Sequence, residues 1–290
     1  MAITAILSAL AQEQQGLLSQ LREVRQVRRA GREFWLGNLH GQVVVLGLSR
    51  IGKVAAATTA TVLIETFAAE RIVFTGVAGA LGANVHVGDL VVAREFVQHD
   101  MDASPLFPRF EIPLYRKSRF ACDAELTALL VTASQATLRA MDAGMTDAPS
   151  ALRPTVHQGL IVSGDRFVST AQASAALLLR LGDAAMAPLA VEMEGAAVAQ
   201  VCHDYGVPFA AVRTISDRAD AQAATDFQHF VTNVASRYAL GIVARLVRAL
   251  QATLASPGAG STTSAKSRWQ TSIPARRGIR RPTPAPENNP

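Results

Sequence analysis

Short runs of Val, Ile, Leu and Ala recur along this chain, and stretches with helical patterning separate them. Residues 2–9 (AITAILSA), 71–76 (RIVFTG), 157–164 (HQGLIVSG), 189–193 (LAVEM) and 208–216 (PFAAVRTIS) are apolar at successive positions, as in strands buried on both faces. Helical patterning falls at 12–24, 52–68, 123–140, 170–182, 195–205 and 225–254. Residues 33–38 and 42–48 read as a hairpin, 87–98 as a further strand, and 100–120 as a Pro-containing loop. The alternation predicts an α/β fold: a single three-layer α/β/α domain with a central, mostly parallel, mixed sheet.

The chain has 290 residues, 49% of them hydrophobic and 18% charged, which is enough apolar material for a sizeable core and excludes wholesale disorder. The two cysteines, Cys122 and Cys202, stand far apart, so the sequence offers no disulfide framework and no metal-type spacing. A cytoplasmic setting without a structural metal is expected. No apolar run approaches the roughly 18–20 residues that span a bilayer. The N-terminal apolar stretch has no positive flank and reads as a strand rather than a signal peptide.

The net charge of +5 has a particular location. Six basic residues and one acidic residue lie between Ser256 and Pro290, leaving 22 of each sign in the rest of the chain. The expected organisation is a folded domain over residues 1–255 and a basic Pro/Ser/Arg-rich, disordered tail over 256–290. Any contact with nucleic acid would be weak, salt-sensitive and confined to that tail.

Ligands of open α/β sheets bind beyond the carboxyl ends of the strands. At those ends stand Ala11-Gln12-Glu13, Val77-Ala78-Gly79, Asp165-Arg166-Phe167-Val168, Val191-Glu192-Met193-Glu194-Gly195 and Ser216-Asp217. Gly76, Gly79 and Gly82 do not fit the dinucleotide pattern G-x-G-x-x-G, and a strand rather than a helix follows them. They suit either a plain turn or a backbone that approaches a flat ligand closely. Asp217 ends an apolar strand, where a carboxyl can be held protonated as a general acid; a helix cap or a partner for Arg213 or Arg218 is the alternative. Glu13 reads equally as a first-turn acid. Glu192 and Glu194 would share a face on a strand; where a strand passes into a helix, one can enter a site while the other caps the helix. By residue type alone, Phe167 and Phe227 are core residues.

Taken together, Ser49–Ala56 (SRIGKVAA), Thr75–Gly79 (TGVAG), Val87–Val92 (VGDLVV), Gly159–Asp165 (GLIVSGD), Val191–Gly195 (VEMEG) and Val212–Asp217 (VRTISD) resemble the nucleosidase branch of the purine nucleoside phosphorylase superfamily. Within it the resemblance is to the 5'-methylthioadenosine/S-adenosylhomocysteine nucleosidase family, over about residues 3–250. The resemblance implies hydrolysis of the N-glycosidic bond of 5'-substituted adenosines, without cofactor or metal. It implies that Asp217 protonates adenine N7 and that Glu13 activates water, helped by Arg213 and Glu194. Met193 and Glu194 would hold the ribose, Phe167 would stack on adenine, and the Val168 backbone would read its edge. Val77, Ala78, Gly79 and Ser216 would complete the nucleoside site, and Ile51 and Phe227 would line the slot for the 5'-alkylthio group. A neighbouring subunit would close that slot with residues 101–108, implying a homodimer. Ala80, Ser8-Ala9-Leu10 and the Pro-containing 100–120 loop depart from the family pattern, which leaves the 5'-substituent open. Three alternatives remain at this stage: a phosphorolytic enzyme of the same superfamily, a hydrolase of 6-amino-6-deoxyfutalosine, and a non-catalytic nucleoside-binding protein.

Overall fold

The computed structural model describes residues 2–142, 153–230 and 234–255. β1 (Thr4–Ser8) leads into α1 (Ala11–Leu18), and β2 (Arg22–Arg29), β3 (Arg32–Leu39) and β4 (Gln42–Leu48) form a meander ahead of α2 (Lys53–Phe67). Then come β5 (Arg71–Ala80), β6 (Leu90–Gln98), the short β7 (Arg119–Ala121) and α3 (Ala124–Asp142). The rest alternates as β8 (Val156–Ser163), α4 (Ala171–Asp183), β9 (Pro188–Glu192), α5 (Gly195–Tyr205), β10 (Phe209–Asp217), α6 (Ala223–Phe230) and α7 (Ser236–Ala255).

The strands form one mixed sheet in the order β10–β6–β8–β9–β5–β1–β4–β3–β2, with β7 beside β6. β10 also pairs with β5, so β5, β10, β6, β8 and β9 close into a ring and the other strands extend from it as an open wing. Among the described residues five strand pairings are parallel and five antiparallel. The antiparallel pairings come from the β2–β3–β4 meander, from β7, and from the closures of β6 on β10 and of β9 on β5.

Side chains of successive strand residues point to opposite faces, and both faces are covered. Ala5, Leu7, Val45, Ile72 and Phe74 pack with Ala56, Ala60 and Leu63 of α2 and Ala196, Val198 and Ala199 of α5. Ile6, Val44, Leu46 and Val73 pack on the other side with Leu17 of α1, Leu126 and Leu130 of α3, and Ile242, Val243 and Leu246 of α7. These are the three layers that the apolar runs predicted. A smaller apolar cluster joins Leu177 and Leu181 of α4 to Val97, Val162 and Val191.

Three local expectations need correction. The helix expected over 12–24 ends at Leu18, and Arg22–Arg29 is a strand. β2 is an edge strand with almost every side chain exposed, so it carries no apolar signature; pairing with β3 creates it. β5 continues to Ala80, so Val77-Ala78-Gly79 is strand rather than turn, held by β10 on one side and β9 on the other. α6 reaches Phe230 and α7 runs from Ser236, whose hydroxyl accepts from the Gly16 amide at 3.1 Å; residues 231–233 of the closing helix expected over 225–254 lie outside the described residues. The 100–120 segment contains β7, paired with β6. The expected tail, residues 256–290, lies outside the described residues.

Candidate active site

A cavity of about 530 Å³ opens where the carboxyl ends of β1, β4, β5, β8, β9 and β10 converge. Every site residue expected from the sequence lines it: Glu13, Ile51, Val77, Ala78, Gly79, Phe167, Val168, Met193, Glu194, Arg213, Ser216, Asp217 and Phe227. Four of its lining residues are carboxyls, and their surroundings differ.

Glu13 sits in the first turn of α1 and is 1% exposed. Its Oε2 accepts from the amides of Ala9 and Leu10 at 2.8 and 2.9 Å, and its Oε1 from the Val77 amide at 3.2 Å. Burial pushes this carboxyl above its usual range, while the amides and the charge of Arg213 pull the other way. β5 can pass this close because residue 76 is glycine: a Cβ there would lie 3.2 Å from Glu13 Oε1.

Asp217 ends β10, a strand buried at every position, and is 2% exposed. The Ser216 hydroxyl donates to its Oδ2 at 2.8 Å and the Ala219 amide to its Oδ1 at 2.9 Å. A break in the β10–β5 register between Ile215 and Asp217 turns the strand end here, and Gly79 passes so close that a Cβ would stand 2.8 Å from Asp217 Oδ1. Burial raises the Asp217 carboxyl, against the pull of those two donors.

Glu192 and Glu194 take different roles because β9 ends between them and α5 begins at Gly195. Glu192 turns inward: it accepts from the amides of Glu194 at 3.2 Å and Gly195 at 2.9 Å, from the Ser163 hydroxyl, and from the Arg213 guanidinium at 2.7 Å. Arg213 is 1% exposed, lies 4.0 Å over the Phe74 ring, and donates to the Phe74 carbonyl at 3.2 Å. Its direct carboxylate is therefore Glu192, and it reaches Glu13 only through space. Glu194 is left facing the cavity with the Gly52 amide donating to Oε1 at 2.8 Å. Burial, and next the neighbouring Glu192, push Glu194 up to about 8.

The sequence reading missed Glu192 as the anchor of Arg213. The only signal for it was the two-residue spacing of the glutamates at a strand-to-helix junction. Among the described residues no group of three His, Cys, Asp or Glu side chains is placed to hold a metal ion.

The family model described as Phosphorylase superfamily matches residues 4–248. The chain belongs to the phosphorylase superfamily. A 5'-methylthioadenosine/S-adenosylhomocysteine nucleosidase of Aeromonas salmonicida is 34% identical over 242 residues, covering 83% of this chain and 97% of the relative. The nucleosidase of Neisseria meningitidis, solved in complex with methylthio-immucillin-A, superposes with a TM-score of 0.73 at 34% identity over 86% of this chain and all of that one. A futalosine hydrolase of Helicobacter pylori superposes with a TM-score of 0.72 at 29% identity, covering 85% of this chain and 98% of its own.

In this phosphorylase-superfamily chain the cavity lining is apolar and aromatic as well as carboxyl-bearing. Phe167 meets Phe227 edge-on with ring centroids 5.8 Å apart, and Ile51, 59% exposed, also lines the cavity. Val168 is buried beneath. Residues 101–108 supply nothing to the cavity lining of their own chain; Leu106 in that loop is 83% exposed.

Proposed function

We propose that this chain hydrolyses the N-glycosidic bond of 5'-substituted adenosines, of the 5'-methylthioadenosine and S-adenosylhomocysteine type, releasing adenine and the 5'-thio-ribose. The observation that carries the reading is one cavity in which three buried carboxyls, Glu13, Glu194 and Asp217, are held by three different donor sets.

Breaking C1'–N9 leaves positive charge on the sugar and negative charge on the purine. Asp217, its proton retained by burial, donates it to N7 as the bond breaks. Glu13 takes a proton from the water that attacks C1', and three amides hold the carboxylate in place for that step. Glu194, whose carboxyl is held above its ordinary range by burial and by Glu192, meets the ribose hydroxyls; its anion is favoured as positive charge builds on the sugar. Arg213 acts indirectly, fixing Glu192 and so the start of α5 from which Glu194 projects. Phe167 stacks on the adenine, and the Val168 backbone reads its edge. The exposed Ile51 and the Leu106 loop support a homodimer in which residues 101–108 of one protomer close the 5'-slot of its partner.

Phosphorolysis is disfavoured because the carboxylate of Glu13 stands where phosphate would attack, and the buried cation nearest to it is already paired with Glu192. The test is adenine release from a panel of 5'-substituted adenosines with and without phosphate. Free sugar at a rate that phosphate does not raise is the expected result; saturable phosphate dependence with a sugar 1-phosphate product would overturn the reading. The likeness to a futalosine hydrolase places 6-amino-6-deoxyfutalosine in the same panel as the second candidate substrate.

A further inference from the structure

Two arginines line the cavity, and only one is committed. Arg213 is buried and paired with Glu192 at 2.7 Å. Arg166 is exposed, and among the described residues no carboxylate oxygen lies within 4.0 Å of its guanidinium. The acids nearest to its place in the loop after β8 are occupied. Asp165 accepts from the Lys53 amide at 2.7 Å, and Asp100 accepts from the Asp165 amide at 2.8 Å while pairing with Lys53 Nζ at 2.5 Å.

These contacts also locate Arg166. One residue before it, Asp165 ties the loop to Lys53, two residues from Ile51. One residue after it, Phe167 packs on Phe227. Arg166 is thus carried by a loop whose flanking residues are tied to the Ile51–Lys53 segment and to Phe227, and in the nucleosidase reading Ile51 and Phe227 line the 5'-slot. The other unpaired charge-bearing groups of the lining, Glu13, Glu194 and Asp217, are all acids. Among the described lining residues, Arg166 is the one cation without a carboxylate partner that a substituent ending in a carboxylate could meet.

We infer that Arg166 is a carboxylate-recognition residue at the mouth of the cavity, which biases the enzyme toward 5'-substituents that end in a carboxylate, such as a homocysteinyl group, over a methylthio group. The inference rests on the nucleosidase reading above. A guanidinium presents a planar fork of donors that matches a carboxylate, and at an exposed position such a pair is worth a modest, salt-screened amount.

The experiment measures kcat/KM for S-adenosylhomocysteine, for its decarboxylated analogue that keeps the amine, and for 5'-methylthioadenosine. It uses the full chain and the variants Arg166→Met, Arg166→Lys and Arg166→Glu. The ratio of S-adenosylhomocysteine to the decarboxylated analogue should fall roughly 3- to 10-fold in Arg166→Met. It should fall further in Arg166→Glu, be largely kept by Arg166→Lys, and shrink in the parent as salt is added. A ratio that is the same in all four proteins overturns the inference and leaves the nucleosidase reading standing. An equal loss on all three substrates overturns it too, since it would make Arg166 a support for the loop. If the parent protein releases adenine from none of them, the nucleosidase reading fails and the inference with it.

Discussion

Asp217, Glu13 and Glu194 share one cavity and one residue chemistry, yet their donors differ, and in the proposed reaction that difference would let them do different work. Asp217 receives one hydroxyl and one amide, Glu13 three amides, and Glu194 one amide beside a second carboxylate. In the proposed reaction Asp217 delivers a proton to the leaving adenine. Asn keeps the shape and can still hydrogen-bond the base, but it has no proton to transfer. Asp217→Asn should therefore lose kcat by at least ~10²-fold and keep most of its affinity for a product analogue, because the missing interaction strengthens only in the transition state. Single-turnover adenine release with a direct binding measurement checks this. A variant that loses binding and keeps kcat would make Asp217 a recognition residue. At this scale the sequence was informative because carboxyls at strand ends stand out against apolar runs. The pairing of Arg213 with Glu192 was not legible, since strand sequence does not say which of several buried acids a guanidinium reaches.

The elements that place these residues were legible to different degrees, and the reason is burial. β1, β5, β8, β9 and β10 are apolar because both faces of the sheet are covered, so they announce themselves. β2 does not, because an edge strand exposes its side chains, and its arginines look like those of a surface helix. The Val87–Val92 motif holds a turn: Asp89 accepts from the Thr155 amide at 2.7 Å, the His86 amide at 2.9 Å and the His157 ring at 2.9 Å. The glycines of β5 are the opposite case. Gly79 read either as part of a turn or as a point of close backbone approach, and its place is inside a strand packed against the Asp217 carboxyl. Gly79→Ala puts a methyl group 2.8 Å from Asp217 Oδ1 and 3.2 Å from the Ala219 Cβ, so the carboxyl or the strand must shift. A misplaced catalytic group commonly costs ~10²-fold in rate. Gly79→Ala should therefore lower kcat/KM strongly while the far-ultraviolet circular dichroism spectrum stays that of the parent. Activity close to the parent's would show that β5 has slack at this point.

Across the whole molecule, the buried carboxyls couple the site to stability. Glu13, Glu194 and Asp217 are each raised chiefly by burial, so the folded chain holds protons that the unfolded chain releases. Their contribution to stability is complete below the unfolded carboxyl range and is lost as pH rises through the folded values. For Glu194 that window runs from 4.5, its ordinary value, to about 8. The site is therefore built at a cost that grows with pH, as expected where function requires charge in a buried cavity. Glu194→Gln removes one of the three titrations while keeping the size of the side chain and its ability to accept from Gly52. The variant should resemble the parent in stability near pH 5 and exceed it near pH 9 by roughly 1–2 kcal/mol, or several degrees in Tm, while losing activity at both. Thermal unfolding of the two proteins across that range checks the sign. Curves that stay parallel, or a variant that loses more stability than the parent as pH rises, would show that Glu194 is already ionised at neutral pH and that the protonated form plays no part in holding the cavity together.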